Sequence, residues 1–407
     1  MGKNKKYSGY RAYQYLEAGV DYKPFKLAKG IGRVEAYWVP LSKVEEERAE
    51  GLLEKCVVVS MHDHPVLFPE DMSQLVEYQR EGREFLAYED LSRSCLDAVF
   101  DNMMDGTAYI TSKAGWKWGD VIYDLGMRLC DLAHQDFVIK CEKVEDVLEA
   151  HRTGRIALIP SLESATPIEN EVDRIDILYG LGVRMMGIVY SESNALGSGL
   201  REPRDGGLTD FGYDCVKRMN KIGMAIDVSH AGDQTALDTI EASDKPIMIS
   251  HAGARALNGT ARMFPDEVLT ALAERDGVIG IEAAPHTTYT RNHPEHSIES
   301  YMEHMEYCIE LMGIDHVGAG PDTLYGDHVA LHGVWFGQTG RGHYPRPRTR
   351  EGVVEPRRVE YVRGLENPSE CLINITRWLV KHGYSDQEIE KLIGGNALRL
   401  LRRVWWR

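Results

Sequence analysis

From residue 54 onward, short apolar and β-branched runs alternate with longer stretches whose apolar positions recur with helical spacing. Eight short runs stand out: Cys56–Met61, Thr107–Thr111, Ile156–Leu162, Val183–Tyr190, Met224–Ser229, Pro246–Ser250, Val278–Ala283 and His316–Gly320. Between them lie helical patterns. Asp210–Ile222 carries Phe211, Val216, Met219 and Ile222 on one stripe, and Asp266–Glu274 and Ser300–Met312 read the same way. The first fifty or so residues have no clear period.

Strands that are apolar on both faces and separated by helices predict a parallel sheet with right-handed crossovers. Eight is the number that closes a (β/α)8 TIM barrel. A doubly wound open sheet is disfavoured, because no G-x-G-x-x-G follows the first strand. The predicted fold is therefore α/β: a TIM barrel over residues 54–407, with an N-terminal extension, residues 1–53, packed on it. A long insert, Asp63 to Gly106, separates the first two runs. A second irregular stretch follows the eighth, from Thr323 to about Asn367, rich in Arg, Gly and Pro. In a barrel it would lie over the catalytic face, as a lid or a subunit contact. The chain ends in a helical pattern, Asp386–Val404, interrupted at Gly394-Gly395, and Trp405-Trp406 are expected to pack on the barrel or on another subunit.

Composition narrows the partners. Hydrophobic residues make up 43%, enough for a large core, while 63 acidic against 47 basic residues leave a formal charge of −16. That balance argues against nucleic acid and against an anionic membrane surface. No apolar run reaches membrane-spanning length, and the start of the sequence does not read as a secretory signal or a lipidation site. Seven cysteines, scattered and without a C-x-x-C pair, read as reduced thiols, so a cytoplasmic protein is expected.

The candidate chemistry lies at the ends of the runs. The first finishes in His62-Asp63-His64, and an H-x-H on extended chain puts both imidazoles on one face. Glu163 ends the third run, His230 the fifth, His251 the sixth and Asp322 the eighth. In a barrel these ends converge on one mouth. Four imidazoles and two carboxylates around one point are costly to bury unless they hold metal ions.

The segments IALIPSLES, GLTDFGYDCVKRMNKIGMAIDVSHAGDQTALD, PIMISHAGARAL, ARMFPDEVL, MGIDHVGAGPD and IEKLIGGNALRLLRRV resemble the membrane (renal) dipeptidase family of zinc metallopeptidases, among the amidohydrolase-type barrels. The resemblance runs from about Cys56 to Val404. It implies two divalent metal ions per chain, zinc by the family pattern. His62 and His64 would serve the first, His230 and His251 the second, with Glu163 bridging. It also implies that Arg262 binds a substrate carboxylate and that Asp322 shuttles a proton. The implied reaction is hydrolysis of an amide bond in a small, dipeptide-like, carboxylate-bearing substrate by a metal-bridging hydroxide. Self-association into a homodimer or larger homo-oligomer is left open.

Three positions depart from the family pattern. His64 stands where an aspartate is usual, which raises the net charge of the site by one. Tyr190 stands where a substrate-binding histidine is usual, and a phenol can still donate to a developing oxyanion. The acidic D-F-D-G turn is here Asp322-Thr323-Leu324-Tyr325-Gly326. These changes keep open a barrel acting on an aryl or N-acyl amide, a carbamoyl compound or a lactone, and a noncatalytic metal-binding descendant.

Overall fold

The computed structural model describes residues 5–81, 83–103, 117–339, 354–355 and 357–405. Among these, eight parallel strands follow one another around a wall: β1 Val59–His64, β2 Ala98–Met103, β3 Ile156–Leu162, β4 Met185–Gly187, β5 Ala225–Asp227, β6 Met248–Ala252, β7 Val278–Ile281 and β8 Val317–Ala319. A further piece, Thr323–Leu324, pairs with β1 at Asp63 and His64. It lies only three residues beyond β8, which pairs with β7, so the path returns to its start and closes a (β/α)8 barrel. At the closure, Gly320 passes so near β6 that a Cβ there would meet the Ser250 carbonyl at 1.8 Å.

Seven of the eight predicted runs contain barrel strands. Ala98–Met103, in the stretch predicted to be an insert, pairs with both β1 and β3. The run AVFDNM is broken by the polar Asp101 and Asn102, and the buried carboxylate of Asp101 masked its strand character. Asp101 is neutralised by buried Arg128, 2.5 Å away. The run Thr107–Thr111 lies outside the described residues. The stretch after β8 holds a helix, His328–Thr339, that was predicted to be irregular. Most of its Arg-rich part lies outside the described residues.

Strand alternation sorts the core into two clusters. Val59, Met61, Ala98, Phe100, Ala157, Ile159, Met185, Ala225, Met248 and Val278 form one with the C-terminal Leu398, Leu401, Val404 and Trp405. Val58, Val99, Leu158, Ile226, Ile249 and Ile279 join the other, with the helix residues Leu125, Leu178, Val216, Leu272 and Met305. The helices form where their spacing predicts, and Asp210–Ile222 matches at both ends. Thr209 Oγ1 accepts the Gly212 N–H at 3.0 Å, and Gly223 ends the helix at φ 81°. The C-terminal helix is interrupted by π-helical turns at Lys391–Gly395. There a Cβ on Gly394 would meet the Val57 carbonyl at 2.2 Å, so the break brings the helix against the chain entering β1. Trp405 is buried and donates Nε1–H to the Arg184 carbonyl at 3.2 Å.

Residues from the N-terminal segment reach well into the chain. Asp131 accepts from Tyr10 Oη, Tyr88 Oη and the Tyr13 backbone N–H at 2.7–2.8 Å. The Val39 N–H donates to Asn374. No disulfide links the seven cysteines, and no helix among the described residues is long and apolar enough to cross a membrane.

Candidate metal centre

Between Ser60 and Asp63, β1 holds one residue more than β2 opposite it. This bulge matters for the site. Val59 and Met61 fill the inner cluster, yet His62 and His64 also meet the other site residues, which strict alternation would forbid. Asp63, between the two imidazoles, turns away and accepts the Thr323 N–H at 2.8 Å, tying β1 to the closing strand. Burial pushes its pKa up to about 7 against that bond and the His64 charge.

The four histidines meet as the chain ends of β1, β5 and β6 predicted. His62 and His64 Nε2 atoms are 3.2 Å apart, and those of His230 and His251 are 3.0 Å apart. Glu163 Oε1 lies between the pairs, 2.9 Å from His230, 3.4 Å from His251 and 3.8 Å from His62. Asp322 Oδ1 closes the other side, 3.0 Å from His64 and 3.6 Å from His62. Asp322 occupies the left-handed region at φ 58°, in the break between β8 and Thr323, where Asp is among the few tolerated residues. Two ligand groups result, His62–Glu163–His251 and His62–His64–Asp322.

The bonds behind the imidazoles fix which nitrogen carries the proton. His64 Nδ1 lies 2.8 Å from the Asn102 carbonyl, which can only accept. Ser250 Oγ donates to Asp227 at 2.6 Å and lies 3.2 Å from His62 Nδ1 and 2.9 Å from His251 Nδ1. A hydroxyl has one hydrogen and two lone pairs, so with its hydrogen given to Asp227 it accepts from both rings. Asp227 takes four donors in all: the backbone N–H and hydroxyl of Ser229 and of Ser250. Burial raises the Asp227 pKa, and these bonds oppose the rise. Three rings therefore turn Nε2 into one space, His62 and His251 with the lone pair forward. Ring nitrogens 3.0–3.2 Å apart, with the Glu163 and Asp322 oxygens beside them, make a donor set that fits divalent metal ions.

Electrostatics keep three of the four rings neutral. Burial, then neighbouring cationic groups, pulls the pKa of His62, His230 and His251 well below that of free imidazole. For His64 burial pulls down too, but Asp322 and Glu163 outweigh it and lift the value to about 9. Burial raises Glu163 well above the usual carboxylate range, and Asp322 adds to the rise.

Two predicted substrate residues also reach the mouth. The Tyr190 ring stacks on His230 at 4.2 Å, beside an apolar cluster of Val66, Phe68, Tyr78, Leu324 and Leu331. Arg262 donates to the carbonyls of Ser229 and His251 and pairs with the buried Glu282. Sequence reasoning missed Asn102, Asp227, Ser250 and Glu282. A carboxylate inside a buried apolar strand run is unusual, and that signal was present in MAIDVS and VIGIEA.

A family model for membrane dipeptidase, peptidase family M19, matches residues 46–333. The chain belongs to the membrane dipeptidase family. A dipeptidase, tcpJ, from Claviceps purpurea is 28% identical over 283 residues, which cover 69% of this chain and 58% of that protein. The chain thus spans under two thirds of the length of that curated relative. In fold, the chain is similar to an amidohydrolase from Pseudomonas aeruginosa, with TM-score 0.71, 22% identity and coverage of 88% of this chain and 99% of that one. It is also similar to a metallopeptidase from Rhodobacter sphaeroides liganded with a phosphinate mimic of L-Ala-D-Ala. Here the TM-score is 0.64, the identity 20% and the coverage 86% and 99%. The fold that a membrane dipeptidase family member was expected to have is therefore the fold observed.

Proposed function

We propose that this protein is a metal-dependent hydrolase of the dipeptidase type, cleaving an amide bond in a small dipeptide-like substrate with two divalent ions, zinc by family pattern. One observation carries the reading: four imidazoles and Glu163 converge at the barrel mouth, three with their Nδ1 protons held from behind. His62 and His64 would hold one ion and His230 and His251 the other, with Glu163 shared. When bound, such ions lower the pKa of a coordinated water from 15.7 to about 7 and polarise a carbonyl oxygen.

The remaining work falls to side chains of this chain. Asp322 Oδ1 takes the proton of the attacking water and passes it to the leaving nitrogen, so the amine departs neutral. The Tyr190 hydroxyl donates to the oxyanion that develops on the carbonyl. Tyr190 and its apolar neighbours exclude water from one flank of the substrate. Membership of the dipeptidase family and the phosphinate dipeptide mimic held by a structural neighbour support a dipeptide-like substrate. Tyr190 in place of a histidine favours a second reading, a non-dipeptide amide or a lactone.

Metal content by elemental mass spectrometry on protein purified without added metal should give about two ions per chain. A panel of L,L- and L,D-dipeptides against esters, lactones and N-acyl amides should show turnover of dipeptides. Turnover of lactones or N-acyl amides alone selects the second reading. Absence of metal, with none taken up on titration, overturns both.

A further inference from the structure

His328 is 5% exposed, and its ring makes no hydrogen bond or ion pair with any described residue. Its place on the catalytic face is fixed by the chain around it. Leu324, four residues earlier, pairs with His64 at the end of β1. Asp327 Oδ1 then accepts the Ala330 N–H at 2.9 Å and starts the helix His328–Thr339. Arg33, from the N-terminal segment, lies 4.0 Å from the other oxygen of that carboxylate. His328, Leu331 and His332 share one face of the helix, three and four positions apart. Leu331 packs in the apolar cluster that holds Tyr190, whose ring stacks on His230. The His332 ring lies 4.5 Å from that of His328. This face is therefore turned to the barrel mouth. The charges agree: a positive His64 acts on the His328 ring, and a positive His328 acts on His62.

Whatever its charge, an imidazole carries at least one N–H, and buried polar groups are almost always hydrogen-bonded. The other buried rings outside the metal centre obey that rule. His304 Nδ1 accepts the Ala254 N–H at 3.0 Å, and His296 Nε2 meets Thr288 Oγ1 at 2.7 Å. His328 does not, and the groups around it are engaged elsewhere. His62 and His64 turn Nδ1 to Ser250 and Asn102 and their Nε2 atoms to each other. His286 Nε2 accepts the Val359 N–H at 3.1 Å. The partner that the His328 ring lacks must therefore enter through the mouth.

Resting on the hydrolase reading above, we infer that His328 is a substrate-binding residue whose ring N–H donates to a carbonyl or carboxylate oxygen of the bound amide, on the His62–His64 side of the mouth. Tyr190 serves the scissile carbonyl, so the oxygen that His328 takes belongs to another part of the substrate. Such a contact is made alike in the bound substrate and in the transition state, and it therefore acts on KM and not on kcat.

The test uses the metal-loaded full chain. It measures metal content, KM and kcat for the panel substrate that the native protein cleaves best, and the Kd of a phosphinate dipeptide mimic by calorimetry. His328→Ala and His328→Phe, the second keeping a ring against His332, should each raise KM and Kd about tenfold, the loss of one hydrogen bond, with kcat within about twofold and metal content unchanged. His328→Gln keeps an N–H donor and should bring both constants back to within about threefold of native. Native affinity in the alanine and phenylalanine variants, loss of metal from both, or a glutamine variant as weak as the phenylalanine one overturns the inference. Failure of the hydrolase reading looks different: the native protein itself cleaves nothing in the panel and binds no mimic, and this inference falls with it.

Discussion

The two ends of the barrel are built from the same strands and obey opposite rules. At the end where the strands begin, Val59, Ala98, Phe100 and Ile159 fill the interior, and Leu398, Leu401 and Trp405 close it from below. At the other end the same strands finish in His62, His64, Glu163, His230 and His251. The first end is satisfied by contact alone, and any side chain of similar shape serves it. The second is satisfied only by direction: the rings of His62, His64 and His251 are held from behind by an acceptor and turn Nε2 forward. Stability therefore resides at one end and chemistry at the other, and substitutions should separate them.

The largest effect is expected at the chemical end. His230→Ala or His251→Ala should remove one ion per chain and lower turnover by about 10³-fold or more, with the unfolding midpoint in metal-free buffer nearly unchanged. Full activity in both variants, with metal content unaltered, would show that the convergence of rings is not a metal centre. At the packing end, Phe100→Ala should cost about 3–5 kcal/mol of stability, because Phe100 is fully buried, and leave metal stoichiometry intact. Urea titration reads the first and elemental analysis the second. Loss of metal from a folded Phe100 variant would break the separation.

Ser250 sharpens the comparison, since it packs like a core residue and acts through direction. One hydroxyl faces both His62 and His251. Ser250→Ala should weaken metal affinity about 10- to 100-fold, measured by chelator competition, while Ser250→Thr keeps the hydroxyl and recovers most of it. Equal affinities in the native and alanine forms would reduce Ser250 to a packing role. The smallest effect is expected for His64→Asp, which replaces a ring whose Nδ1 meets the Asn102 carbonyl. It should shift metal preference several-fold from zinc toward harder ions such as manganese, read by competitive loading.

The sequence by itself determined the strand and helix rhythm, because a barrel strand must be apolar on both faces and its helices on one. It also placed His62, His64, Glu163, His230, His251 and Asp322 at strand ends, since chain direction in a parallel barrel sends all those ends to one mouth. Where polar residues were buried inside strands, the pattern misled. β2 was missed because Asp101 breaks its apolar run, and its partner Arg128 lies 27 positions further along the chain. Only the tertiary structure decided the bulge that turns both Met61 and His62 inward, the hydroxyl that two rings share, and the pairing of Arg262 with Glu282. These depend on contacts between residues remote in sequence. Period and spacing act along one segment at a time, whereas the direction of a hydrogen bond or an ion pair is set by the other strand that supplies its partner.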